Sequence, residues 1–211
     1  RHPRGAFFGP KVFFRTLDVV QNTILRFPSF RRNLTDWVLS RLVRRNRSRD
    51  SGEQVVEFLN GVCVLARNEA LKETGLFDEN MGAYVEDTDL HWRARQLGWE
   101  SIFVPVPSII HHQKGDGYNH HSQVAFMLRR NTVYWHMKCG RFLQAWLYAK
   151  SALLLARFRA FQNRNNKDKA AEYRYYVERS KEAYAKLLRK EPLGEWFGPL
   201  LGKWDPPKPA A

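Results

Sequence analysis

A chain of 211 residues with 44% hydrophobic and 14% aromatic side chains can bury a sizeable core, which excludes wholesale disorder. Its formal net charge of +14, with a pI near 10.1, calls for an anionic partner: nucleic acid, acidic membrane or phosphorylated substrate. Two cysteines, Cys63 and Cys139, lie far apart, which excludes a disulfide framework and suits a reducing compartment.

The first residue is Arg1 and nothing resembles a signal peptide, so a portion of a longer polypeptide is expected. Pro3, Gly5, Gly9 and Pro10 break regular structure over residues 1–12. Val12, Leu17, Val20, Ile24 and Phe27 then recur at helical spacing, predicting a helix that ends before Pro28. Residues 30–49 read as a basic amphipathic helix, with seven arginines between Leu34, Trp37, Val38, Leu42 and Val43. That face is either solvated or laid on anionic lipid headgroups. Residues 1–54 therefore form a helical, basic lead-in.

Residues 55–66 are apolar and β-branched, predicting one buried strand. Gly61 inside it implies a bend or a close approach to the backbone. Asn68 is expected to cap a short helix that Gly75 terminates. A second helix runs over residues 87–97, with Leu90, Ala94 and Leu97 on one face and Gly98 after it. Ile102, Phe103 and Val104 form a strand stopped by Pro105. Ile109 and Ile110 form another short extended piece that delivers His111 and His112. This alternation makes residues 55–121 an α/β layered portion.

Helices follow over residues 122–137, 142–161 and 170–190, so residues 122–191 form a helical extension; residues 192–211, rich in proline, read as an irregular tail. Lys150, Arg157 and Arg159 interrupt the most apolar helix, leaving it short of the roughly 20 apolar residues that span a bilayer. A buried or interfacial helix is expected instead.

Glu86, Asp87 and Asp89 open the helix after Gly82. The helix dipole alone favours acids there by roughly 0.3–1 kcal/mol. Crowded carboxylates also repel, which raises at least one pKa and would poise a general base. Asp87-Thr88-Asp89 matches the Asp-any-Asp pattern of metal–nucleotide sites, but opens a helix where such a site closes a strand, so it is set aside. His111, His112, His120 and His121 lie within eleven residues. They read as surface histidines or a zinc site, with His111 alone fixed by the strand before it. Arg129-Arg130-Asn131 is either a solvated basic patch or a clamp on a phosphate-bearing group.

The run Asn60-Gly61-Val62-Cys63-Val64-Leu65-Ala66-Arg67, then Gly75-Leu76-Phe77-Asp78-Glu79, Glu86-Asp87-Thr88-Asp89-Leu90, Arg93 and Gly98-Trp99 resembles family 2 glycosyltransferases of the GT-A type. The rhamnosyl- and galactofuranosyltransferase-like branch is the nearest, and the likeness extends to Arg130-Asn131. The resemblance implies an α/β fold: the C-terminal, acceptor-side half of a GT-A domain followed by a helical extension. It implies inverting transfer of a sugar from a nucleotide-sugar to a hydroxyl of a glycan or lipid-linked acceptor, in cell envelope polysaccharide biosynthesis. Asp87 would be the general base, and Gly61, Glu86, Asp89, Trp92 and Arg93 would support the acceptor site. His111 would help hold a divalent metal (Mg2+ or Mn2+) with ligands from outside this chain, and Arg129 and Arg130 would contact phosphate or acceptor.

The family's nucleotide-binding half and its metal motif are not found in these residues. The expectation is therefore a chain that is inactive alone, with its donor half missing or on a partner chain. It would work as a peripheral protein at the cytoplasmic, inner face of the membrane, on an anionic surface. A non-enzymatic nucleic-acid- or polyanion-binding protein is the alternative, carried by charge and aromatics. Against it stand the acidic cluster and the lack of any recognition module.

Overall fold

The structure is a computed structural model that describes residues 1–14, 19–29, 52–112 and 121–189. It divides into two compact units: Arg1–Asp78 with Glu86–Gly115, and Glu79–Val85 with Asp116–Ala211. The expected basic helix over residues 30–49 and the tail over residues 192–211 lie outside the described residues.

The first unit is built on β1 (Gly5–Phe14), which runs parallel to β7 (Glu100–His111) from Gly5↔Glu100 to Phe14↔His111. β2 (Val20–Gln21) and β6 (Leu65–Ala66) pair antiparallel with β1, and β4 (Gln54–Val56) pairs antiparallel with β7. β3 (Ile24–Leu25) and β5 (Phe58–Leu59) make a separate two-stranded ladder. The result is a mixed sheet.

Two sequence expectations are corrected here. Residues 5–14 are the centre of the sheet rather than a broken lead-in, and the described residues of 12–27 hold strands rather than a helix. The glycine taken as a breaker is a packing requirement: a Cβ on Gly9 would stand 3.0 Å from Leu59 Cδ1. Apolar residues at Ala6, Phe7 and Val12 are almost wholly buried, so β1 is covered where a lead-in would be exposed. Residues 55–66 form three short strands instead of one. The two expected extended pieces before His111 are one strand, bulged where Pro10 and Lys11 pair with Val104 and Ser108.

α1 (Asn68–Thr74) and α2 (Glu86–Gln96) pack against this sheet. Arg67, not Asn68, is the N-cap of α1, and it offers no side-chain cap. Its guanidinium instead donates to Gly5 O (2.7 Å) and His2 O (3.2 Å), fixing the start of β1. Leu90 and Ala94 of α2 join Phe7, Leu59, Ala70 and Phe103 in the core, while Leu97 is exposed. Trp99 Nε1 donates to Glu73 Oε2 at 2.9 Å, tying α1 to the start of β7.

The second unit is helical: α3 (His121–Lys138), α4 (Phe142–Gln162) and α5 (Lys167–Leu188) contact one another pairwise. α4 packs by an alanine seam, Ala145, Ala149, Ala152 and Ala156, at helical spacing. Tyr148 and Leu153 pack beside that seam, while other bulky residues turn outward. Leu143, Trp146, Leu154, Phe158 and Phe161 are all exposed, Leu154 by 71%. No helix among the described residues is long and apolar enough to cross a membrane.

Candidate active site

The mouth of α2 gathers Glu86, Asp87 and Asp89 in one helical turn, and each side chain goes to a different environment. Asp87 is half-buried, and its two oxygens are held separately. Oδ2 accepts from the amide of Gly61 at 2.9 Å. Oδ1 accepts from Thr88 N at 2.6 Å and from the Thr88 hydroxyl at 3.2 Å. A Cβ on Gly61 would lie 3.4 Å from Asp87 Oδ2 and 3.5 Å from Asp87 Cβ. The close approach expected at Gly61 is thus made by Asp87 itself. Two motifs 26 residues apart converge on one carboxylate.

Glu86 precedes it, with Oε2 buried and without a hydrogen-bond partner among the described residues. Burial pushes its carboxyl pKa above the ordinary value, and the neighbouring Asp87 charge adds to the rise. Asp89 points into the protein, with its side chain 1% exposed, and pairs with Arg93 Nε at 2.8 Å one turn on. The Arg93 guanidinium also donates to the carbonyls of Thr74, Gly75 and Leu76, the last at 2.7 Å. Asp89 and Arg93 therefore anchor the turn after α1. That turn leaves Leu76 and Phe77 72% and 57% exposed, an apolar surface that the motif spelled out but sequence reasoning did not single out.

Trp92 packs edge-on against Phe27, ring centroids 5.2 Å apart, and Phe27 stacks on Phe58. On the same helix His91 is buried beside Phe7 and bonded to Ser101 Oγ at 2.7 Å. Burial pulls its pKa down to about 3, so it is a neutral core histidine.

His111 ends β7, as the sequence predicts, with Nδ1 3.0 Å from Gln21 Oε1 of β2. Nothing in the sequence marked Gln21, because its pairing arises only when β2 lines up beside β1. Among the described residues no three His, Cys, Asp or Glu side chains stand together to hold a metal ion. The residues described do not by themselves fit a divalent metal. His112 is exposed, and His120 lies outside the described residues.

Arg130 is a correction. Expected at a phosphate or acceptor, it is 1% exposed inside the helical unit. Its Nε donates to Asn131 Oδ1 (2.9 Å) and one terminal nitrogen to Met81 O (3.2 Å). Asn131 Nδ2 reaches Met81 O, Ala83 O and Tyr84 O at 2.8, 2.9 and 2.6 Å. The pair holds residues 79–85, the loop that runs into Glu86. Burial draws the Arg130 pKa down to about 10. Arg129, its neighbour, is only half-buried and faces a cleft between the three helices.

A helix mouth with an amide-held carboxylate, on a mixed sheet, carries the sequence signature of a known group of enzymes. A family profile described as "Glycosyltransferase like family 2" matches residues 13–134, more than half of the chain, and the chain belongs to that family. Among curated proteins it is similar to the N-acetylglucosaminyl-diphospho-decaprenol L-rhamnosyltransferase of Mycobacterium tuberculosis, in strains CDC 1551 / Oshkosh and ATCC 25618 / H37Rv. Both are 29% identical over 140 residues, covering 62% of this chain and 45% of theirs. The chain thus spans less than half the length of the curated relatives it matches. No solved structure matches it.

Proposed function

We propose that this chain supplies the acceptor side of an inverting glycosyl transfer, from a nucleotide-sugar to a hydroxyl of a glycan or lipid-linked acceptor. The observation that carries this reading is the Asp87 carboxylate, half-exposed and gripped by the amides of Gly61 and Thr88. Oδ2, with its one bond from Gly61, keeps a lone pair, whereas Oδ1 already accepts two bonds from Thr88. An acceptor hydroxyl can lie against that lone pair. As its oxygen attacks the anomeric carbon, its proton passes to Asp87. The bond from that carbon to the diphosphate breaks on the opposite face, and the nucleoside diphosphate leaves with the electron pair.

Gly61 serves through its backbone amide, which donates to the carboxylate at 2.9 Å. Glu86, whose carboxyl pKa burial pushes above the ordinary value, shapes the site beside the base. Asp89 and Arg93 are positioning residues, since they hold the turn that presents Leu76 and Phe77. Trp92 acts on the acceptor side through its packing with Phe27. No step is assigned to a metal.

The acceptor in the relatives' name is a diphospho-polyprenol, and a lipid-linked acceptor for this chain puts the protein at a membrane surface. Support comes from α4, whose exposed leucines, tryptophan and phenylalanines are interleaved with Lys150, Arg157 and Arg159 and with no acid. Such a face suits the headgroup boundary of an anionic inner leaflet.

The test is transfer from nucleotide-activated L-rhamnose to a polyprenyl-diphospho-N-acetylglucosamine acceptor, by the protein that contains this chain. D87N should lower kcat by about 10²–10⁴-fold, the usual worth of a positioned base, with KM for acceptor little changed. A D87N enzyme within about threefold of the parent sinks the assignment.

A further inference from the structure

The helical unit contains a cleft that the transfer chemistry does not use. It is lined by Arg129 of α3, Arg159 of α4, and Tyr173, Tyr176 and Ser180 of α5, with a phenylalanine and two alanines behind them. Among the described residues no acidic side chain lines it, and neither arginine forms an ion pair. Two cations on α5 are paired instead: Lys181 with Glu178 at 2.6 Å and Lys186 with Glu182 at 3.7 Å.

Two guanidinium groups sharing one partly desolvated cleft repel each other, and each loses part of its hydration. Arg129 registers this: burial, and then the Arg159 charge, press its pKa below the ordinary arginine value. A chain at +14 has surface enough to spread such charges apart. Their convergence is relieved by an anion with several oxygens, which can take paired bonds from each guanidinium fork. Tyr173 and Ser180 line the same cleft and carry hydroxyls that can donate.

We propose that this cleft binds a phosphoryl group, as free phosphate or as a phosphate ester. Arg129 and Arg159 clamp its oxygens from two helices, and the tyrosine and serine hydroxyls complete the shell. Because α3, α4 and α5 each contribute, occupancy also ties the three helices together. The site draws on neither Asp87 nor Gly61, so a failed transfer assay leaves it standing, and its own failure leaves the transfer reading intact.

The experiment is calorimetric titration of the 211-residue chain with inorganic phosphate, then with hexyl phosphate, in 0.15 M NaCl. Saturable one-to-one binding is expected, weakened at least tenfold by R129Q and by R159Q. K138Q, a cation outside the cleft, should stay within threefold of the parent, and R159K should recover part of what R159Q loses. Hexyl phosphate binding tenfold tighter than phosphate assigns an ester ligand; equal affinity assigns free phosphate. Each variant is checked by circular dichroism, and if R129Q fails to fold, half-exposed Arg159 decides through R159Q. No saturable binding, or K138Q weakening it as much as R159Q, overturns the proposal.

Discussion

Replacing Asn131 with alanine removes one side-chain amide shared by three backbone carbonyls. An amide has two protons, so Met81 O, Ala83 O and Tyr84 O divide two donors among them. Met81 O would keep its bond from Arg130 at 3.2 Å, while Ala83 O and Tyr84 O would lose this donor. Each lost bond is worth about 1 kcal/mol, and a carbonyl left dry costs about 1–3 kcal/mol. Working the other way, Tyr84 and Val85 sit at φ 70° and 74°, left-handed backbone that disfavours a β-branched residue. Release of the loop returns roughly 1 kcal/mol or more of that strain. The balance for N131A is a destabilisation of about 2–3 kcal/mol. Urea denaturation read by circular dichroism measures it, and hydrogen exchange should show residues 79–85 losing protection before the helices do. A change under about 0.5 kcal/mol, with protection retained, would refute the loop-holding role of Asn131.

Further outcomes follow from buried groups and surfaces. His136 is fully buried between Trp135 and Tyr148, with neither ring nitrogen bonded among the described residues; burial, then Arg141, lower its pKa to about 4. The unfolded chain then binds the proton more readily. Stability is complete above about pH 6.5 and is lost as pH falls toward 4, by up to about 3 kcal/mol from this residue. H136F should flatten that acid limb, and an unchanged limb in pH-dependent melts counts against the account. R93M leaves the Asp89 carboxylate buried without its cation and should cost about 3–5 kcal/mol, whereas the D89L/R93M double variant should cost less. A double-mutant cycle with no coupling contradicts the pairing. L154S/F158S, at exposed positions, should leave stability within about 0.5 kcal/mol. It should weaken co-sedimentation with vesicles containing anionic lipid, and unaltered sedimentation removes the membrane role of α4.

The helices of the second unit were legible because their apolar period persists over four or five turns. Long periodic segments tolerate small errors at the ends. β1 was not legible: Gly5, Gly9 and Pro10 look like punctuation until one knows that Leu59 presses against Gly9 and that proline can sit at a bulge. The spacing of Val12, Val20 and Ile24 imitated a helix, although each of the three lies in a strand. At the mouth of α2 the acids and Gly61 were both singled out, yet only the fold joins them. Arg130 misled because an arginine beside another reads as surface, whereas a planar donor fork also suits a cluster of backbone carbonyls. Asn131 was marked only as Arg130's companion in the family likeness, with no sign that it would bind the carbonyls of Met81, Ala83 and Tyr84.

The central strand pair has a consequence for how the chain acquires its shape. Gly5 meets Glu100, 95 positions further along, and every rung up to Phe14 and His111 spans a similar gap. During synthesis β1 emerges long before its main partner exists. Loop closure over such distances is entropically slow, and the waiting strand displays Phe7, Phe8, Val12, Phe13 and Phe14. The helices of the second unit need no such delay, since their partners lie within the next few dozen residues. The Asp87 carboxylate therefore belongs to the slowly assembled part of the molecule, and chaperone capture or low temperature should raise the yield of folded protein more than any change in the helices.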